Sequence, residues 1–151
     1  MQQSDDVLIE LSNPLNESAL TFPVLECIHI LGFAFSIGTI AMVDFRLLDV
    51  WMVRQTPSQV ARDMAPWTIF GLAMMLLSGP MLFLSDPDMY YLNHSFQMKM
   101  VLLLLGLVFN YTIHRKAALN DASGARAKVV AAVSLVLWAG VIFGGIFIAF
   151  V

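Results

Sequence analysis

Four apolar runs, at about 22–43, 67–84, 96–113 and 129–151, constrain this chain more than any other feature. Each is long enough to cross about 30 Å of hydrocarbon as a helix rising about 1.5 Å per residue. None shows the period-two alternation of a strand, and a helix satisfies its own backbone polar groups where no water can. With short connections the four runs use nearly all of the 151 residues. The pattern predicts an all-α, integral membrane four-helix bundle over 21–151, preceded by a polar segment at 1–20. Composition agrees: 59% of residues are hydrophobic and 13% charged, where soluble chains carry about 45–50% and about 25%. The first twenty residues are acidic and polar, with or without a short interfacial helix around Asp6–Leu11, and lack the basic n-region of a cleavable signal.

The charges set the expected orientation. Arg46, Arg54 and Arg62 flank the first connection, and Arg115, Lys116, Arg126 and Lys128 flank the third. The excess of positive charge places both loops in the cytoplasm. Asp5, Asp6, Glu10, Glu17, Glu26, Asp86 and Asp88 fall on the other side, with Lys99 as its one basic residue. The expectation is a bacterial inner-membrane protein with both termini periplasmic (N-out/C-out). A formal charge of -3 argues against a nucleic-acid partner, which would need a basic patch. A single cysteine, Cys27, excludes an internal disulfide framework, a cysteine-rich metal site and covalent c-type haem attachment. Gln55-Thr56-Pro57-Ser58 breaks the first helix and leads to a brief interfacial helix ending near Pro66, which suits the first position of the second span. Ser85-Asp86-Pro87-Asp88 ends that span, and Asn120–Gly124 makes the last turn.

Polar groups are costly in hydrocarbon, so those on the helix faces carry the information. His29, Gly32, Ser36 and Thr39 fall within an arc of about 80° on the first helix. Lys99, Gly106, Asn110 and His114 share an arc of similar width on the third. Gly71 and Ser78 on the second helix, and Ser134, Trp138 and Gly145 on the fourth, complete the furnished interior, although small residues also serve close helix packing. His29 lies about 9 Å and Lys99 about 5 Å into the outer leaflet, whereas His114 lies about 27 Å along the third helix, at the inner face. His29 and His114 are therefore badly placed to clasp one metal. His29 is either a ligand or one half of an interhelical hydrogen bond. Lys99 either faces the interior or snorkels outward. His114 belongs either to the basic rim or to an inner cluster with Asp44, Arg46 and Asn110, in which Asp44–Arg46 is the obvious ion pair.

A neutral imidazole is a common axial ligand of haem, and the macrocycle needs a slot walled by small and aromatic side chains. Gly32 and Ser36 would line that slot, with Phe33, Phe35, Phe96 and Trp138 as aromatic walls. Lys99 would pair with a propionate or act as sixth ligand, with His94 and Met98 as rivals. Thioethers suit copper, and Met89, Met98 and Met100 gather with His94 on the outer side, but no tight Met or His cluster is present. No P-loop, zincin, hydrolase or Rossmann pattern occurs.

His29-Ile30-Leu31-Gly32, Gly38 and Asp44-Phe45-Arg46-Leu47-Leu48 resemble an uncharacterised family of small bacterial four-helix membrane proteins. The resemblance continues through Pro66-Trp67-Thr68, Gly71, Ser78-Gly79, Phe96, Lys99, Asn110, His114, Ser134-Leu135, Trp138 and Ile148-Ala149-Phe150. Where the family pattern has Gly-Arg ahead of Ile-Ala-Tyr, this chain has Gly144-Gly145-Ile146-Phe147. An early His, an Arg ending the first helix and a Lys in the third are also similar to two further groups. One is the haem-binding membrane protoporphyrinogen oxidases; the other is the membrane domain of copper-resistance proteins. That more distant resemblance implies haem b on His29, with Lys99 at the matching site. The resulting expectation is haem-linked electron transfer between a carrier such as quinol and a periplasmic partner, in a monomer or homodimer. Porphyrinogen oxidation, or a copper-handling or structural role, is the alternative.

Overall fold

The computed structural model describes residues 18–150. Most of the polar N-terminal segment, including the short helix considered near Asp6, lies outside them. Among the described residues there is helix and no strand. Helix α1 spans Thr21–Leu47, α2 Pro57–Ser85, the short α3 Pro87–Tyr91, and α4 His94–Phe109. A π-helical turn, Asn110–His114, joins α4 to α5 (Arg115–Leu119); α6 spans Gly124–Phe147 and ends in a 3-10 turn, Ile148–Phe150. Four of the resulting rods are long and apolar enough to cross a membrane: α1, α2, α4 through α5, and α6.

The second span starts ten residues before the apolar run suggests. Pro57, not Pro66, takes the first helical position, where its missing N–H costs nothing. Thr56 accepts from the Gln59 backbone N–H, and the Gln59 side chain accepts from the Thr56 N–H, closing a capping box. Pro66 and Pro80 lie inside the helix, so the carbonyls of Arg62 and Leu76 lose their usual donors. Asp121, at φ 50°, accepts from the Ser58 N–H at 2.9 Å and the Ser58 hydroxyl at 3.2 Å, tying the last loop to the start of α2. These bonds hold its carboxyl below the usual carboxylate range. A group depressed in this way supports the fold above its unfolded value, about pH 4, and loses that support as pH falls through the folded one. Asp121→Asn should therefore lower the melting temperature slightly at pH 7, and the two proteins should melt alike well below pH 4.

Burial is inverted relative to a soluble bundle. Leu77, Leu104 and Val136 are 73%, 64% and 71% exposed and face outward, as lipid-facing positions do. The interior holds Ser36, Thr39, Asp44, Thr68, Ser78, Asn110, His114 and Ser134. The helices pair as α1 with α2 and α4 with α6, and the two pairs meet chiefly along α1 and α6. The tightest approach is between α1 and α2. A Cβ on Gly71 would stand 2.5 Å from the Ser36 nitrogen and 2.6 Å from the Gly32 oxygen. One would stand 2.8 Å from the Gly71 oxygen if placed on Gly32. Thr39 and Thr68 hydroxyls meet across the same seam at 2.8 Å. Ile40, Leu72, Met75, Leu103, Trp138 and Val141 form the mid-bundle core, and Val43, Leu47, Val60, Ala118, Ala127 and Ala131 the core nearer the basic loops.

Candidate functional site

On α1 the buried positions run 25, 32, 36, 39, 40, 43, 44 and 47, so the stripe inferred from the 100° count is the packed face. His29 sits at its edge, half-buried. Its Nδ1 lies 2.9 Å from Ser78 Oγ on α2, and the Ser78 hydroxyl donates its single proton to the Met74 carbonyl at 2.7 Å. Ser78 can therefore only accept from the ring, so Nδ1 carries the proton. The Met75 carbonyl also accepts from this ring; with the proton on Nδ1, the lone pair of the neutral imidazole belongs to Nε2.

The ring lines a cavity of about 760 Å³, within the range of cofactor sites. Its walls are apolar and aromatic, with Phe22, Phe33, Phe83 and Phe96 among them. Lys99 enters from α4, its Nζ 6.0 Å from the centre of the Phe33 ring, and it forms no ion pair among the described residues. Two glycines make the room. A Cβ on Gly79 would come within 3.3 Å of His29 Cε1, and one on Gly145 within 3.4 Å of Lys99 Nζ. Glu26 and Tyr90 complete the polar lining. Burial, with Glu26 and Asp86 nearby, pushes the Tyr90 phenol above its usual value, so it stays a neutral hydroxyl at physiological pH.

Of the residues expected at a cofactor site, His29, Lys99, Phe33 and Phe96 converge here. Gly32 and Ser36 do not: both are consumed by the α1–α2 contact, and no slot remains over them. Trp138 packs in the mid-bundle core against Gly106, and Phe35 faces outward against Trp67 and Phe70. His94 is exposed at the start of α4, Met98 is 48% exposed, and neither lines the cavity. Met75, Met89 and Met100 line it instead. Among the described residues no group of three His, Cys, Asp or Glu side chains is placed to hold a metal ion.

His114 belongs to neither the basic rim nor the cavity of His29. It is 3% exposed, with Nε2 2.7 Å from Asp44 Oδ1, and Ser134 Oγ donates to Asp44 Oδ2 at 2.9 Å. The expected Asp44–Arg46 pair does not form. Arg46, two positions on and so on another side of α1, bonds Asp49 Oδ1 at 2.7 Å and the Gln55 carbonyl. The turn geometry explains how His114 stays inside. Buried positions at Gly106, Asn110, His114 and Ala118 recur every four residues, a spacing that drifts around a regular α-helix. The wide π-turn, with the Arg115 N–H bonded to the Asn110 carbonyl, takes that drift back.

Fold and site together define a multi-pass α-helical membrane protein with a histidine and a lysine facing one apolar cavity. Residues 19–151 match the model of a family of unknown function, DUF6644, and the chain belongs to that family. No curated protein and no solved structure matches the chain.

Proposed function

We propose that this protein binds haem b in the His29 cavity and uses it for electron transfer at the periplasmic side of a bacterial inner membrane. The observation behind this reading is the ring of His29 at the wall of a large apolar cavity: Nδ1 is held by Ser78, and the neutral tautomer this favours carries its lone pair on Nε2. Ligating histidines characteristically donate their other N–H in this way, which fixes the tautomer and strengthens the ligand. The rest of the lining fits the same group. Phe33, Phe83 and Phe96 exclude water, the glycines leave room for a broad planar body, and Lys99 offers an unpaired positive charge to a propionate. Lys99 is also the one candidate sixth ligand of the three (with His94 and Met98) that reaches the cavity. Bound there, haem supplies one-electron exchange; the protein holds it, orients it and sets the charge around it. A quinol in the bilayer and a periplasmic redox protein are the partners such a site would serve.

Protein purified in mild detergent should show a Soret band and a reduced-minus-oxidised α-band. A colourless preparation that also fails to take up added hemin would overturn the reading. Porphyrinogen turnover by the same preparation would make the tetrapyrrole a substrate rather than a cofactor.

Orientation follows from charge. Seven of the eight basic residues lie at the end where Ser58 meets Asp121, and that end is proposed to be cytoplasmic, with both termini periplasmic. In a Cys27→Ser background, a membrane-impermeant maleimide should label Asp88→Cys in intact spheroplasts and Asn120→Cys only after lysis. The reverse pattern would invert the topology.

A further inference from the structure

A second buried histidine is arranged in the opposite sense to the first. Asp44 and Ser134 are 0% exposed and His114 3%, and they come from α1, α6 and the π-turn. Ser134 gives its proton to Asp44, so the order is His–Asp–Ser with the carboxylate central, and the hydroxyl is not activated by the imidazole. Asp44 Oδ1 and His114 Nε2 have no hydrogen-bond partner apart from their mutual close contact. Two bare acceptors at 2.7 Å would repel, so with Asp44 ionised Nε2 is the nitrogen that carries the proton. The neutral imidazole then leaves its lone pair on Nδ1. The His114 ring lines a smaller cavity of about 220 Å³ near the basic end. A liquid water takes about 30 Å³, so this vestibule has room for several, and Asn110 and Thr68 offer polar contacts.

We propose that Asp44 and His114 form a proton-exchange site, loaded from the basic end of the bundle through this vestibule. A hydronium ion there gives its proton to the Nδ1 lone pair and departs as water. Nε2 keeps its own proton against Asp44, and the ionised pair becomes neutral overall as an imidazolium beside a carboxylate. An isolated carboxylate in an apolar interior is costly, which gives that proton a defined place to rest. The other groups facing the pair are few. Tyr111 and Arg115 line the vestibule from the third span; α2 contributes Ala61, Ala65 and Thr68, and α6 contributes Ser134, none of them titratable. The inference does not depend on what the His29 cavity binds.

The test is 15N NMR of the full chain in lipid nanodiscs with ring-labelled histidine between pH 5 and 9, the His114 signals being assigned by their loss in His114→Gln. As the pH is lowered, His114 Nδ1 should change from bare acceptor to N–H while Nε2 stays protonated throughout. In Asp44→Asn, proton binding at Nδ1 should weaken about tenfold or more, a shift of one pH unit. Ala65→Leu, which fills the vestibule, should slow exchange at Nδ1 without moving the midpoint. A wild-type Nδ1 that does not change, or a proton resting on Nδ1 instead of Nε2, would overturn the proposal even if the Asp44 variant failed to fold.

Discussion

His29→Ala should purify as a folded, colourless bundle that no longer takes up hemin, whereas Ser78→Ala should keep the pigment but hold it more weakly. The two variants separate ligation from orientation. His29 is half-buried at the cavity wall and its removal leaves space rather than a broken core, so helicity by circular dichroism should not change. Ser78→Ala leaves Nε2 in place and takes away the acceptor that fixes the ring. Loss of such an outer partner typically costs about 10- to 100-fold in affinity, readable by hemin titration of the apoprotein. A His29→Ala protein with an unaltered Soret band would move the ligand elsewhere, and equal losses in both variants would make Ser78 structural.

The largest effect on stability is expected at Gly71. Its Cβ position is closed by backbone atoms of α1, the Ser36 nitrogen and the Gly32 oxygen, and backbone cannot rotate out of the way as a side chain can. Gly71→Ala must push α1 and α2 apart and loosen the Thr39–Thr68 contact. Overpacking of this kind costs about 1–3 kcal/mol, and larger substitutions should cost more. Gly38 provides the control: nothing lies within 4 Å of its added Cβ, so Gly38→Ala should be neutral or slightly stabilising through helix propensity. Thermal unfolding in detergent compares the two directly. Equal melting temperatures would mean that the Gly32–Gly71 approach does not carry the α1–α2 contact.

The spans, the polar stripe on α1 and the separation of His29 from His114 were legible from periodicity and charge, because these depend on neighbours within a few residues. What escaped depends on pairing between helices. Ser78 read as one more small packing residue, and its role shows only when α2 brings it against His29, 49 positions away. Asp44 has an arginine near it in sequence and a histidine far from it in sequence, and helical geometry brings the histidine to it. Gly32 and Ser36 looked like a groove since small side chains leave room; the same room admits another helix, and α2 took it. Gly145 read only as part of a small-residue stripe and Gly79 only as part of a family pattern, as their importance is the volume a facing His or Lys occupies. The one local sign missed was the capping box at Thr56–Gln59, which marks the true start of α2.

The pairing of the helices gives the molecule a mechanical asymmetry. One half carries His29 and Ser78, and the other carries Lys99, Gly144 and Gly145. Toward the basic loops the halves are riveted by Asp44, His114 and Ser134, and by Ser58 against Asp121. Toward the acidic end the large cavity lies between them, with the Phe83–Phe96 stack as a contact across it. The bundle is thus built like tweezers, with a polar pivot at one end and the jaws at the other. A group that bridges His29 and Lys99 would therefore join the two halves at the end where side-chain hydrogen bonds do not.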